Sequence, residues 1–174
     1  MTWMEKLELT IHRWPTCREV RICLRFADEG APLSEVEELA KLYPFLPISY
    51  LNLLLKYDGI TVSEFRFYGL CSPRFRSMVK EREVWREYEF DVNTACPFAV
   101  DAGGNPFFMQ SDGSIWLYET DPPIARKRVC DSFDELMGEG IFGSKYITMV
   151  NVLDPIPESD DSWLKYLRDS GWHQ

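Results

Sequence analysis

Two histidines, His12 and His173, lie near opposite ends of the 174-residue chain. A Cys-His or Ser-His nucleophile would have to use one of them. Neither stands in a catalytic spacing, and both read as exposed terminal residues. Carboxylates are commoner. Asp101 beside a turn, and Glu119 with Asp121 after a strand-like run, are of the right type for acid–base work in a cleft. In so acidic a chain, solvated loops are the expected place for them, and hydrolysis through Asp101 or Glu119 is the minor reading. No Cys-x-x-Cys, His-Glu-x-x-His or EF-hand loop occurs, so no metal or other cofactor is expected. Gly103-Gly104-Asn105 is too short to cradle phosphate and reads as a hairpin turn. Gly138-Glu139-Gly140-Ile141-Phe142-Gly143 spells G-x-G-x-x-G. It follows a helix-like segment, and no helix is read after it, which argues against dinucleotide binding.

Charge narrows the partner. Lysine and arginine number 19 against 28 aspartates and glutamates, a net charge of -9. That sign disfavours nucleic acid, which needs basic surface to displace counterions, and it disfavours anionic lipid. It suits a basic partner. Arg74, Arg76, Lys80, Arg82 and Arg86 are interleaved with Phe75 and Trp85, a pattern that could stack and neutralise a single strand. Glu81, Glu83, Glu87 and Glu89 among them make a mixed solvated face the better reading. Arg126-Lys127-Arg128 is too short to overturn the net charge. Met1-Thr2-Trp3-Met4-Glu5-Lys6 is not a secretory start, and no run approaches the ~20 apolar residues of a membrane span. The five scattered cysteines read as small buried or semi-buried residues of a reducing compartment, so a cytoplasmic location is expected.

The elements that would position these residues come in two styles. Thr16 is placed to cap a helix through Val20, Cys23, Leu24 and Ala27 that Gly30 ends. Ser34 and Glu37 read as a capping box for a helix carrying Val36, Leu39, Ala40 and Tyr43. Pro44 and Pro47 interrupt, and a Leu-rich helix follows from Ile48 to Tyr57, with Leu51, Leu54 and Leu55 inward. Those leucines are expected to be buried with Phe98, Phe107 and Trp116. Residues 60–62 and 65–69 carry β-formers, and residues 74–89 allow a helix. Residues 97–101, 106–110 and 114–118 then form an antiparallel meander through turns at 102–105 and 111–113. Arg126–Cys130 is a further strand. Ser132 is placed to cap a short helix that Gly138 and Gly140 halt. An acidic, Pro-rich linker from Asp154 leads to a last helix, capped by Ser159 or Asp160, whose Trp163, Leu164, Tyr166 and Leu167 call for docking. The expected organisation is a helical extension over residues 1–30, an α+β domain over 31–150, and a linker with a docking helix over 151–174.

Several of these pieces together resemble the SUKH superfamily. Glu37-Glu38-Leu39 is followed by Leu46-Pro47-Ile48-Ser49-Tyr50, a Leu-Pro-x-x-Tyr step into a Leu-rich helix that ends at Asp58-Gly59. The run from Phe98 to Met109, through Asp101-Ala102-Gly103-Gly104-Asn105, is similar to the strand–Asp–Gly–Gly/Asn–strand hairpin of that superfamily. Ser111-Asp112-Gly113 matches its next turn, and Ser132-Phe133-Asp134-Glu135-Leu136 its closing Ser-Phe-x-x-Leu helix. Where members usually show Asn-Gly-Gly, this chain has Asp58-Gly59-Ile60. The resemblance spans about residues 33–137.

The resemblance implies an α+β fold with amino-terminal helices on a mixed, mainly antiparallel sheet, and a non-enzymatic role. Bacterial members resemble cytoplasmic immunity proteins that bind and block a cognate toxin, many of these toxins being nucleases. A fungal member acts in cell-wall control through partner binding, so a regulatory adaptor is the alternative expectation. A nuclease site built for phosphate is basic, and an acidic inhibitor matches it. The acids at the meander edges, Asp101, Asp112, Glu119 and Asp121, are therefore the expected partner-binding residues. Trp116 and Tyr118, two apart on one strand, share a face and are the expected apolar anchors.

Overall fold

In the computed structural model, Thr2 and Glu5 close a capping box over the start of α1 (Trp3–Arg13). The structure describes residues 1–87, 91, 93–121, 125–153 and 157–173. They fall into two units: Met1–Arg25, Val62–Glu64 and Asp134–Gln174 form the first, and Phe26–Thr61 with Phe65–Phe133 the second.

The first unit is helical. The helix expected through Ala27 stops early: α2 is Arg18–Cys23, and β1 (Leu24–Phe26) follows at once. The cause is sheet pairing, which here overrides the helical spacing of Leu24 and Ala27. Thr16 does not cap α2; its hydroxyl donates back to the Arg13 carbonyl, and Cys17 occupies the cap position. The short helix α6 (Phe133–Glu135) runs straight into a π-helical turn, Leu136–Ile141. Gly138 and Gly140 therefore lie inside helical structure and do not halt it. A helix absent from the sequence expectation, α7 (Tyr146–Leu153), begins beyond Gly143. The G-x-G-x-x-G run thus precedes a helix after all, but a helix and not a strand leads into it, so it is no dinucleotide turn.

The last helix, α8 (Ser162–Asp169), starts one or two residues later than expected. Asp161 caps it, one carboxylate oxygen accepting from the backbone N–H of Trp163 and Leu164, each at 2.9 Å. Trp163, Leu164, Tyr166 and Leu167 are all buried, as their spacing requires. The Trp163 indole N–H donates to the Ile141 carbonyl at 2.8 Å. The Tyr166 hydroxyl lies 3.0 Å from the Thr10 hydroxyl of α1, and Lys165 Nζ lies 2.7 Å from Glu19 of α2. Linker residues Asp154, Pro155 and Ile156 lie outside the described residues.

The second unit opens with α3 (Leu33–Leu42) and α4 (Ile48–Lys56). The Ser34 capping box does not form. Pro32, extended at φ -56° and ψ 139°, takes the cap position, and its carbonyl accepts from Glu35 and Val36. In α4 the buried residues are Tyr50, Leu53 and Leu54. Leu51 is half-buried and Leu55 is 38% exposed, so the inward face sits one residue off the expected one. The Tyr50 ring decides this, standing edge-on to Phe98 and Phe133 with centroids 5.9 and 5.1 Å away.

After α4 the chain turns through Gly59, whose φ of +105° and contact with Phe75 leave no room for a Cβ. The strands follow in sheet order: β1, β2 (Ile60–Val62), β3 (Phe65–Phe67), β4 (Ala95–Val100), β5 (Pro106–Gln110), β6 (Ile115–Glu119) and β7 (Ala125–Cys130). From β3 to β7 every pairing is antiparallel. The fold is α+β. Pro97 sits inside β4, where it can donate no ladder hydrogen bond; the β4–β5 register shifts between Pro97 and Ala99 to absorb it. The helix within residues 74–89 is α5 (Met78–Glu87). It lays Trp85 against Phe108 and Ala95, with Tyr118 packed alongside.

Candidate protein-binding face

The β6 side chains alternate. Ile115 and Leu117 point into the core and are buried, while Trp116 and Tyr118 share the other face and are half-buried. The expected burial of Trp116 with the leucines of α4 is therefore corrected: strand alternation puts it on the face opposite Leu117. Register supplies the neighbours of that face. Trp116 is paired with Phe108 of β5 on one side and Arg128 of β7 on the other, and Tyr118 is paired with Arg126. The Arg126 guanidinium stands 5.8 Å from the centre of the Tyr118 ring, in cation–π geometry. Phe108, Trp116, Tyr118 and Arg126 border a groove of about 350 Å³ lined also by Gln110, Asp112 and Ser114. Its rim is ordered by the β5–β6 turn. Gly113 takes a positive φ of 86°, and one Asp112 oxygen accepts from the Ser114 hydroxyl at 2.6 Å and from its backbone N–H at 2.9 Å. The Ser114 hydroxyl in turn accepts from the Trp116 indole at 2.9 Å. These bonds from Ser114 hold the Asp112 carboxyl below the usual carboxylate range.

The structure separates the six sequence-derived residues. Asp112, Trp116 and Tyr118 line the groove. Asp101, Glu119 and Asp121 lie toward the opposite end of the meander, about 17 Å along a five-residue strand. Asp101 is only 4% exposed. Both of its oxygens are taken by Asn105, through the backbone N–H at 2.7 Å and the side-chain amide at 2.9 Å. It closes the β4–β5 turn, buried where an exposed acid was expected. The side-chain amide oxygen Oδ1 of Asn105 then accepts from the backbone N–H and the hydroxyl of Thr120, tying that turn to the end of β6. Glu119 shares the Leu117 face and pairs with Lys127 at 2.6 Å. Asp121 is exposed. Arg126 and Gln110 join the groove without having been read from the sequence. Their signal lies in the β6–β7 and β5–β6 registers, which composition does not contain.

Elsewhere the chemistry is that of structure. Asp58, 4% exposed, accepts from the backbone N–H groups of Leu70, Cys71 and Ser72 at 2.5, 2.9 and 2.5 Å, folding residues 69–72 around one carboxylate. Burial pushes the Cys23 thiol up to about 12 and raises those of Cys71 and Cys96, the reverse of an activated nucleophile. Cys71 is exposed, contrary to the expectation of buried or semi-buried cysteines. His12 is exposed as expected, but His173 is half-buried. Among the described residues, no three His, Cys, Asp or Glu side chains gather closely enough to hold a metal ion, and no helix is long and apolar enough to cross a membrane.

The family model of the SMI1/KNR4 family (SUKH-1) matches residues 30–139. The chain belongs to this family. The SUKH-1 match contains α3, α4, β2 to β7 and all six residues discussed above, and it leaves α1, α2, α7 and α8 outside. No curated protein matches the chain.

Proposed function

We propose that the protein is an immunity protein: it binds a cognate toxin domain non-covalently and neutralises it, without catalysis of its own. The observation that carries this reading is the groove of Trp116 and Tyr118 beside Asp112, on a member of a family whose bacterial branches resemble such inhibitors. Half-buried aromatics held by neighbours offer large contact area at little entropic cost, as interface hot spots do. The net charge of -9 provides the long-range field that draws a basic toxin in. Asp112 and Asp121 are the acids best placed to meet it, with Glu119 available where its bond to Lys127 yields. The complex forms in the cytoplasm.

Co-expression with the product of the adjoining gene is the direct test. Wild type restores growth, and Trp116→Ala loses protection, with affinity down at least about tenfold. The Glu119→Gln/Asp121→Asn pair slows association more than it speeds dissociation, and association slows as salt rises. Full protection by Trp116→Ala together with salt-independent association removes this face from the interface. No protection by the wild type against any neighbouring product ends the immunity reading.

A further inference from the structure

β7 is the last strand in the sheet order, and among the described residues it pairs with β6 alone. Its second to fourth residues, Arg126, Lys127 and Arg128, are all exposed. The register sets Arg126 and Arg128 beside Tyr118 and Trp116, and Lys127 beside Leu117, so bases flank the strand on both faces. We propose that β7 receives an extended, acidic segment of a partner protein as an added strand.

An edge strand presents a row of outward N–H and C=O groups, a template for strand addition. β7 has six residues, as long as β4 and enough for a complete ladder. Lysine and arginine on an edge repel unselected strands. The same charges select one kind of newcomer, because cross-strand neighbours of opposite sign are favoured and like charges disfavoured. Three consecutive bases in a chain of net charge -9 make the local preference opposite to the global one. Arg128 pairs with Asp131 at 2.9 Å, both side chains exposed, and Lys127 with the half-buried Glu119 at 2.6 Å; the first pair exchanges partners at little cost, the second at a somewhat higher one. On the Trp116 face, alternate side chains of the added strand reach the groove, so an apolar residue there gains the aromatic floor while its acidic neighbours meet the bases. Nucleic acid would also find bases and aromatic rings here, but it carries no backbone N–H groups to extend a ladder. The inference does not require the partner to be a toxin.

The full chain, labelled with nitrogen-15, is titrated with an end-blocked ten-residue peptide alternating valine and glutamate. Controls are the same peptide N-methylated at alternate residues, a valine–lysine version, and a ten-nucleotide oligothymidylate. The valine–glutamate peptide is expected to shift the Ala125–Cys130 amides and slow their hydrogen exchange, and N-methylation or lysine to abolish both effects. Arg126→Glu with Arg128→Glu weakens binding at least about tenfold with the circular dichroism spectrum retained. Lys127→Glu, on the other face, weakens it independently. Unchanged β7 amides at millimolar peptide overturn the proposal, as does equal binding of the methylated or lysine peptide. Preferential oligothymidylate binding at β7 also overturns it and assigns the edge to nucleic acid. Protection against a toxin is a separate measurement, so either reading can fail alone.

Discussion

The indole of Trp85 stands edge-on to the ring of Tyr118, their centroids 5.7 Å apart at an interplanar angle of 70°. Tyr118 is thereby part of the small cluster that α5 builds with Phe108, whereas Trp116 is steadied by its hydrogen bond to Ser114. The two aromatics of the groove should therefore separate in mutagenesis. Tyr118→Ala is expected to lower folding stability by about 2 kcal/mol, and Trp116→Ala by under about 1 kcal/mol. Urea unfolding of both variants measures the difference; equal losses would refute it.

The register of α4 predicts a sharp contrast between neighbouring leucines. Leu53→Ala and Leu54→Ala each empty a buried position and should cost about 2–5 kcal/mol. Leu55→Ala, at an exposed position, should stay within about 0.5 kcal/mol of wild type. Thermal melts of the three variants suffice, and a large loss at Leu55 would restore the face expected from the sequence.

Asp58 is the acceptor for three backbone donors, which an amide cannot replace. Asn at this position turns an NH2 toward N–H groups and leaves buried donors unpaired. Asp58→Asn is expected to cost about 3 kcal/mol and to raise hydrogen exchange at Leu70, Cys71 and Ser72. Unchanged exchange there would show that the loop holds its shape without the carboxylate.

The contact between α2 and α8 carries a pH dependence. The Lys165 hydrogen bond, the largest cause, brings the Glu19 carboxyl from 4.5 down to about 2, and Glu19 raises the Lys165 ammonium in turn. A carboxyl lowered by folding stabilises the native state above its unfolded value, and that contribution fades as pH falls from 4.5 toward 2. The Tm advantage of wild type over Glu19→Gln should thus shrink between about pH 6 and about pH 3, and shrink with salt at neutral pH. A gap that widens on acidification would contradict the pairing.

Much of the second unit was legible from residue types. Ser111-Asp112-Gly113 and the run from Asp101 to Asn105 announce hairpin turns because few residues accept their backbone angles, and Trp116 and Tyr118 must share a face because strands alternate. The face of α4 was not legible. Leucine at 51, 53, 54 and 55 satisfies several helical stripes at once, and the choice is made by Tyr50 wedging between Phe98 and Phe133, a contact distant in sequence. β1 was missed because three residues carry too little pattern to outweigh a helical spacing, and its partner strand begins at Ile60.

The proposed binding residues divide in the same way. Exposure of Asp112 follows from its turn, but the withdrawal of Asp101 depends on Asn105 folding back over it, and no charge count registers that. The arginines beside Trp116 and Tyr118 lie eight to twelve positions further along the chain. The β6–β7 register, which shifts once between Ile115 and Trp116, brings Arg126 to the groove and sets Arg128 beside Trp116.

The loop that Asp58 folds also holds the protein's most accessible thiol. Cys71 is exposed while its backbone N–H is tied to that buried carboxylate, and the other four cysteines are half-buried or buried. A spin label or dye attached at Cys71 would therefore ride on an anchored stretch of chain. Its rotational correlation time would follow the tumbling of the second unit, which makes it a ready gauge of whether that unit has taken on a partner's mass.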